Sequence, residues 1–238
     1  MTDFNNIFIN SLKENRLEEY IKYSDKFYKL YTSLAETNKL YNLTAVTDAE
    51  GVCALHFADS LLAVKYIKES GKLLDIGCGA VFPSLPIAIV REDLHVYGID
   101  STAKKIAFST KFAQENSIGN FISRAARAEE LALTNERESY DYVTARAVAR
   151  LNILAELALP FVKPGGYFVA LKGGLGDDEY KEAEKAIKLL GGKLEKIEKE
   201  KLITPKGEQE RSFIIIKKVG KTPDGYPRVY SKIAKKPL

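Results

Sequence analysis

Two short stretches carry residue types that could grip a small ligand. Asp75-Ile76-Gly77-Cys78-Gly79 sets two glycines around one small residue, directly after the apolar pair Leu73-Leu74. A strand that runs into Gly-x-Gly turns tightly and brings bare backbone against whatever lies beside it. Asp100 stands 23 residues after Gly77 and closes a second apolar run, His95 to Ile99. A carboxylate roughly 20 residues beyond such a turn can accept hydrogen bonds from ribose hydroxyls. The two features together point to an adenosine-containing cofactor. A dinucleotide fingerprint would need a third glycine where Phe82 stands. An acid at Asp75 would repel a pyrophosphate and suit a cofactor with a cationic amino-acid end, as in S-adenosylmethionine. The plainer alternative is an ordinary strand–helix turn with Asp75 and Asp100 there by coincidence.

Other chemistry-bearing residues are weaker. His56 and Asp59 lie three apart on an expected helix and could share a face, most simply as a buried polar pair that fastens the N-terminal helices to a sheet. Cys78 has no activating neighbour in sequence and reads as a small residue in a tight turn. With only Cys53 besides, the chain has neither a close metal-ligand pair nor a disulfide framework, which suits a reducing cytosol. No signal peptide is evident, and the longest apolar run, Val81 to Val90, is interrupted by Pro83, Ser84 and Pro86 and is too short to cross a bilayer.

The formal net charge of +4 hides an uneven distribution. Lys217 to Leu238 holds seven basic residues and one acid, a net of +6, which leaves −2 on residues 1–216. A basic end on a slightly acidic body suggests a polyanionic partner; a merely solvated segment is the alternative. Tyr226 and Tyr230 in that segment could stack on bases of single-stranded RNA. On this reading, loss of residues 221–238 weakens RNA binding and spares the cofactor.

The elements that must position these residues follow from periodicity. Residues 4–38 read as two helices and 49–68 as another. From Gly71 onward strands and helices alternate. Strands are expected at 72–76, 95–99, 121–123, 140–145 and 166–171, with helices from about 85, at 102–116, at 151–162 and at 177–190, the last capped and stopped by Gly191-Gly192. The last two strands, 193–203 and 211–219, are close enough to pair as an antiparallel unit. Such alternation means βαβ units and an α/β fold: a mostly parallel sheet covered on both faces, with ligands at the carboxyl ends of its strands.

In sequence order, the chain carries Asn38-Lys39 with Tyr41-Asn42-Leu43-Thr44-Ala45, His56-Phe57 with Asp59-Ser60, and the glycine motif with Phe82-Pro83-Ser84-Leu85-Pro86. Asp100-Ser101 with Lys104-Lys105, Arg127-Ala128-Glu129-Glu130, the block from Tyr140 to Leu151, Ala170-Leu171-Lys172-Gly173, Tyr226-Pro227-Arg228 and Lys236-Pro237-Leu238 complete the series. Taken together these resemble the RsmG (GidB) family of bacterial 16S ribosomal RNA methyltransferases, over nearly all of the chain from Asn38. The resemblance implies a class I Rossmann-like methyltransferase fold, with a seven-stranded, mostly parallel sheet whose last strand is antiparallel. It implies an N-terminal helical extension over 1–70, a cofactor domain over 71–220 and a basic tail over 221–238. The implied activity is S-adenosylmethionine-dependent methylation of guanine nitrogen-7, with ribosomal RNA or the 30S subunit as partner and neither metal nor membrane. Gly77 and Phe82 would line the methionine and ribose side, Ala128 and Glu129 would frame the adenine, and Arg146 would complete the site with Asp75, Gly79 and Asp100. Lys172, Arg211 and Arg228 would meet the RNA. A methyltransferase for a small molecule or protein, and a catalytically weak nucleotide-binding module, are the alternatives.

Guanine nitrogen-7 offers an in-plane lone pair and no proton, so no catalytic acid or base is expected; alignment carries the rate. Two residues depart from the family pattern. Val81 stands where a glycine is usual, and a β-branched residue does not readily take φ > 0. Either the turn never needs that conformation or cofactor binding is weakened. Val229 stands where a basic residue usually follows, which removes one phosphate contact.

Overall fold

The computed structural model describes residues 2–238. The N-terminal helices are α1 (Thr2–Glu14) and α2 (Ser24–Asn38), joined by a 3-10 turn at Glu18–Tyr23. A continuous helical run follows, made of α3 (Ala49–Gly51), a π-helical stretch (Val52–Ala58), α4 (Asp59–Leu62) and a 3-10 turn (Ala63–Tyr66). Then come β1 (Gly71–Ile76), α5 (Ser84–Val90), β2 (Leu94–Asp100), α6 (Ala103–Glu115), β3 (Phe121–Ala125), α7 (Ala128–Leu131) and β4 (Tyr140–Arg146). The chain finishes with α8 (Leu151–Ala158), β5 (Val162–Gly173), α9 (Gly176–Leu189), β6 (Gly192–Thr204), β7 (Gly207–Lys218) and α10 (Tyr230–Lys235).

The seven strands form one sheet in the order β3-β2-β1-β4-β5-β7-β6. All neighbours are parallel except β7, which runs antiparallel to both β5 and β6. This is the sheet that the resemblance implies. Central strands are near-continuous apolar runs because both faces are covered. Alternation sends successive side chains to opposite cores: Leu73, Val169 and Ile215 face one side, and Leu74, Ala170 and Ile214 the other. The first core is closed by α1, α2, the 49–66 run, α5 and α6, with Phe8, Phe27 and Phe57 fully buried. The second is closed by α7, α8, α9 and α10. The chain moves outward from β1 to β2 and β3, then returns to β4 on the far side of β1. The order therefore switches between β1 and β4, where a crevice opens at the strands' carboxyl ends.

Several elements differ from expectation, and the short helices α7 and α10 were not expected at all. The expected helix over 151–162 ends at Ala158; a 3-10 turn, Leu159–Phe161, follows, and β5 starts at Val162. Pro160 lacks the N–H that another helical turn would use. Helix α9 has no side-chain cap. Asp177, Asp178 and Glu179 in its first turn offset the exposed N–H dipoles instead.

The C-terminal segment is built into the molecule and is not a solvated appendage. Glu156 on α8 is fully buried and accepts from the Arg228 backbone at 2.9 Å and from its guanidinium at 2.8 and 2.6 Å. Arg137 donates to the carbonyls of Tyr226 and Thr222 at 2.7 and 2.8 Å. Lys218, fully buried, donates to the Leu159 and Leu190 carbonyls and to Thr222. Ile233 packs with no exposure into the second core. Truncation after Gly220 is therefore expected to destabilise the whole protein. Orphaning the Glu156 carboxylate alone costs about 3–5 kcal/mol, and the loss reads as a lower urea midpoint. Adding Glu156→Gln should restore part of it. A truncated chain as resistant to urea as the full one would mean that the segment only rests on the surface.

Candidate functional site

The turn after β1 is held by main-chain bonds. The amides of Gly77 and Cys78 both donate to the Ile99 carbonyl, at 2.8 and 3.0 Å, so the turn is pinned to the end of β2. Gly77 and Gly79 have φ of 67° and 56°. A Cβ at Gly77 would meet the Val148 side chain at 2.5 Å. A Cβ at Gly79 would meet only the Gly77 carbonyl oxygen and the Lys105 ammonium, at 3.9 and 4.0 Å, and would project into open space. That space is a cleft of about 430 Å³ at the carboxyl ends of β1 and β2. Asp100 stands at its edge, accepting from the Gly79 amide at 3.0 Å and the Thr102 amide at 2.8 Å, one on each oxygen. Each oxygen keeps a free lone pair for a ligand hydroxyl.

Of the expected cofactor residues, Gly77, Gly79, Asp100, Ala128 and Glu129 line this cleft. Asp75, Phe82 and Arg146 do not. Asp75 has no exposure; its carboxyl accepts from the Ser84 amide at 3.2 Å and the Thr144 hydroxyl at 3.0 Å. Burial pushes it up to about 7. It ties β1 to β4 and to the start of α5, and it neither meets a cationic ligand nor repels an anionic one. The sequence argument against a dinucleotide therefore loses its Asp75 half. Phe82 is buried and stacks on His56, with ring centroids 4.4 Å apart. Arg146 lies over the same Phe82 ring, at 5.6 Å. It donates to the Leu55 carbonyl and to Asp59, both at 2.9 Å.

Asp59 is the centre of a second network. Its other oxygen accepts from Arg211 on β7 at 2.8 Å. One buried carboxylate thus joins the helical run to β4 and β7, through two arginines. The π-helical stretch just before it widens the turn that carries the Leu55 carbonyl. His56 does not pair with Asp59. It bonds the Thr44 hydroxyl at 2.8 Å through Nε2, while Nδ1 lies 3.2 Å from the Leu55 carbonyl. Burial and the nearby Arg146 pull His56 down to about 4, so the ring is neutral, with Nδ1 donating and Nε2 accepting. The Asn38 side chain accepts from the Leu43 and Thr44 amides, which shapes the loop that presents Thr44 to it.

The expected RNA contacts need correction. Lys172 is buried, paired with Glu179 at 2.7 Å and bonded to the Ala149 carbonyl. Arg211 is held by Asp59 and by the Gln209 side chain. Arg228 is spent on Glu156. None offers a free cation to phosphate. Tyr226 packs half-buried against the second core rather than projecting for stacking. Sequence reasoning did not assign Ser101, Lys105, Arg127 or Val148 to the cofactor cleft and gave Tyr230 only to RNA stacking, yet all five line the cleft. For Ser101 and Lys105 the signal existed, since they directly follow the Asp100 carboxylate. For Val148 and Tyr230 it did not, because only folding brings them there.

Val81 answers the question raised by its type. Its φ is 108°, so the turn does require the conformation that glycine favours. Its side chain has no exposure and packs into the first core, away from the cleft. The valine therefore strains the backbone and leaves the crevice open. Cys78 is buried and burial raises its thiol well above the ordinary value, so it is no nucleophile; its sulfur sits under Gly98, where a Cβ would approach to 3.1 Å. Among the described residues no group of three or more His, Cys, Asp or Glu side chains is placed to hold a metal ion. No helix among them is long and apolar enough to cross a membrane.

A glycine turn after β1, an acid closing β2 and a cleft at the switch point of a 3-2-1-4-5-7-6 sheet define the class I Rossmann-like methyltransferase fold. Solved structures agree. Geranyl diphosphate C-methyltransferase from Streptomyces coelicolor superposes with a TM-score of 0.52 at 16% identity, over 68% of this chain and 79% of that one. The [4+2]-cyclase SpnF gives 0.55 at 16% identity, over 82% and 94%. At such identities the likeness is one of fold alone. The family is set by sequence. The family model GidB, rRNA small subunit methyltransferase G, matches residues 23–207. Proteins named Ribosomal RNA small subunit methyltransferase G are 43% identical in Lachnoclostridium phytofermentans, over 98% of this chain and 97% of the relative, and 45% identical in Lysinibacillus sphaericus, over 93% of each. The chain belongs to the GidB family.

Two outcomes test the foundations of this site. Val81→Ala strips about 1.6 kcal/mol of buried methyl groups and keeps most of the strain. Val81→Gly loses more contact but releases backbone strain of about 1–3 kcal/mol. Urea melts are expected to rank the glycine variant at least level with the alanine variant; the reverse order would show an unstrained turn. The second concerns pH. Native Asp75 keeps a proton that the unfolded chain has lost above about pH 4, so its contribution to stability falls as pH rises through about 7. Native His56 refuses a proton that the unfolded chain takes up below about pH 6.5, so its contribution falls as pH drops from there toward about 4. Asp75→Asn leaves the histidine unopposed, and stability should fall more steeply from pH 7 to 5 than in the parent. Parallel curves would show that Asp75 titrates like an exposed carboxylate.

Proposed function

We propose that this protein methylates nitrogen-7 of a guanine in small-subunit ribosomal RNA, using S-adenosylmethionine, in the reducing cytosol. One observation carries the cofactor reading: a cleft floored by side-chain-free backbone at Gly77 and Gly79, with spare acceptor capacity on Asp100 beside it. The residues present fit that cofactor. Asp100 would take the ribose hydroxyls, Ala128 and Glu129 would border the adenine, and the Gly77–Gly79 backbone would receive the methionine end. When bound, S-adenosylmethionine supplies an electrophilic methyl group. The chain's own part is to bind, orient and exclude water. The carboxylates that line the cleft, Asp100 and Glu129, are assigned to the ribose and the adenine border; outside it, His56 is a neutral, buried ring already bonded to Thr44, and Asp75 is enclosed. Nitrogen-7 carries no proton, so no base is needed, and orientation supplies the barrier lowering. Both cysteines are buried free thiols, in keeping with a reducing compartment.

The RNA reading rests on the family name and on the rim of the cleft. Lys104 is exposed beside the cleft-lining Lys105, and its ammonium lies 5.0 Å from the ring centre of Tyr41, itself exposed. A cation beside an exposed aromatic ring suits a phosphate and its neighbouring base. Arg127, which lines the cleft, and Lys232, Lys235 and Lys236, on the segment that carries the cleft-lining Tyr230, add exposed positive charge. Lys104 and the three C-terminal lysines replace Lys172, Arg211 and Arg228 as the cations that would meet RNA, since Arg127 is paired with Glu129 at 3.3 Å.

Labelled methyl transfer should appear on 30S subunits or small-subunit RNA, with the label recovered as 7-methylguanine; transfer to small metabolites alone would overturn the substrate. Single-turnover rates should lack the tenfold-per-unit rise with pH that a titrating general base imposes. Lys104→Ala should raise KM for RNA and leave S-adenosylhomocysteine affinity unchanged.

A further inference from the structure

The second wall of the cleft contains a residue that the fold does not need. Among the described residues that line the cleft, Tyr230 is the one aromatic ring. It is 41% exposed, so it is not placed there to fill a core. Yet the segment carrying it is fixed on both sides. Two residues before it, Arg228 is clamped on the buried Glu156 by three hydrogen bonds. Three residues after it, Ile233 is fully buried in the second core, alongside Leu154 and Ala158 of α8. Leu157 of the same helix also lines the cleft. An exposed aromatic held this firmly is preorganised: little side-chain or loop ordering remains to be paid when a ligand arrives.

The rest of the lining shows what ligand surface the ring would meet. Gly77 and Gly79 offer only backbone, and Asp100 offers acceptors for hydroxyls. Ala128 and Glu129 of α7, Leu157 of α8 and Tyr230 of α10 line the same cleft, and α8 packs against both α7 and α10. A purine ring presents two π faces that must be taken out of water, and the aliphatic lining supplies no π partner for them. Aromatic pairs prefer offset-stacked or edge-on packing and gain beyond their buried area.

We propose that Tyr230 packs its ring against the adenine of bound S-adenosylmethionine, so that the C-terminal segment forms one wall of the cofactor site. This rests on the cofactor reading above and extends it to a residue outside the glycine motif. It also reverses the sequence-based expectation that loss of residues 221–238 spares cofactor binding.

The test is calorimetric titration of the full-length chain with S-adenosylhomocysteine. Tyr230→Phe should bind within about twofold of the parent, because the ring is kept. Tyr230→Ala and Tyr230→Leu should both bind roughly five- to tenfold more weakly, within the upper part of what an aromatic contact is worth. Urea midpoints should stay close to the parent value in all three, since the side chain belongs to neither core. Binding of the alanine variant at parental affinity would overturn the inference and leave the cofactor reading standing. A phenylalanine variant as weak as alanine would also overturn it, by moving the contact to the hydroxyl. No binding by the parent itself would sink the cofactor reading first.

Discussion

One enclosed carboxyl group decides where the cofactor turn can go. Asp75 sits opposite Thr144 in the β1–β4 register and accepts from that hydroxyl and from the first amide of α5. The chain between Asp75 and Ser84 must therefore leave β1, turn and come back to within one side chain's reach of its departure point. Eight intervening residues allow this only with a sharp reversal, and Gly77, Gly79 and Val81 all take positive φ within it. The strain at Val81 is a consequence of that closure. It is tolerated because the valine side chain is delivered into the first core, where burial is worth about 1.5–3 kcal/mol, comparable to the cost of the backbone conformation. The site's shape is thus set by a polar contact that no ligand touches.

The same economy governs charge at the carboxyl edge of the sheet. Asp59 takes both Arg146 and Arg211, Glu156 takes Arg228, and Glu179 takes Lys172. These cations hold layers together: the helical run to β4 and β7, the C-terminal segment to α8, and α9 to β5. Buried pairs of this kind add little net stability compared with apolar packing, but removing one partner is costly. Their value here is geometric. They fix the order of the layers around a crevice whose walls come from six separate parts of the chain.

That arrangement explains which features were legible in the sequence. The strands were readable because a parallel sheet covered on both faces writes itself as apolar runs, and every strand from Gly71 onward appears near its expected place. Helix ends were less readable where tertiary contacts override them, as at Ala158, where the 3-10 turn and the early start of β5 follow Pro160. Gly77, Gly79 and Asp100 were legible because their spacing along the chain encodes their meeting. Asp75 was misread because residue type and position do not say which way a side chain points; on a strand, one step decides between cleft and interior. The basic residues were misread for a related reason. An arginine written in a charged run looks free until the acid that claims it, 72 positions away for Arg228, is brought to it by folding.

A shared fold does not choose the chemistry. A superposable structure is called a cyclase and another a C-methyltransferase, and both keep the same sheet. What differs must lie in the substances admitted at the rim. In this chain seven basic residues lie between Lys217 and Leu238, but they are not equivalent. Lys218 is buried beside Glu138 and Thr222, Arg228 is spent on Glu156, and Lys217 lies over the Tyr167 ring. Lys232, Lys235 and Lys236 remain exposed, at the end of the chain that also brings Tyr230 into the cleft. The segment therefore has two kinds of residue with two tasks. Arg228 and Ile233 fasten it to α8, Lys218 fastens it to the Leu159 and Leu190 carbonyls, and Lys232, Lys235 and Lys236 face outward. Fastening comes first: without the Glu156 clamp neither the ring nor the lysines would have a fixed place relative to Asp100 and the glycine turn.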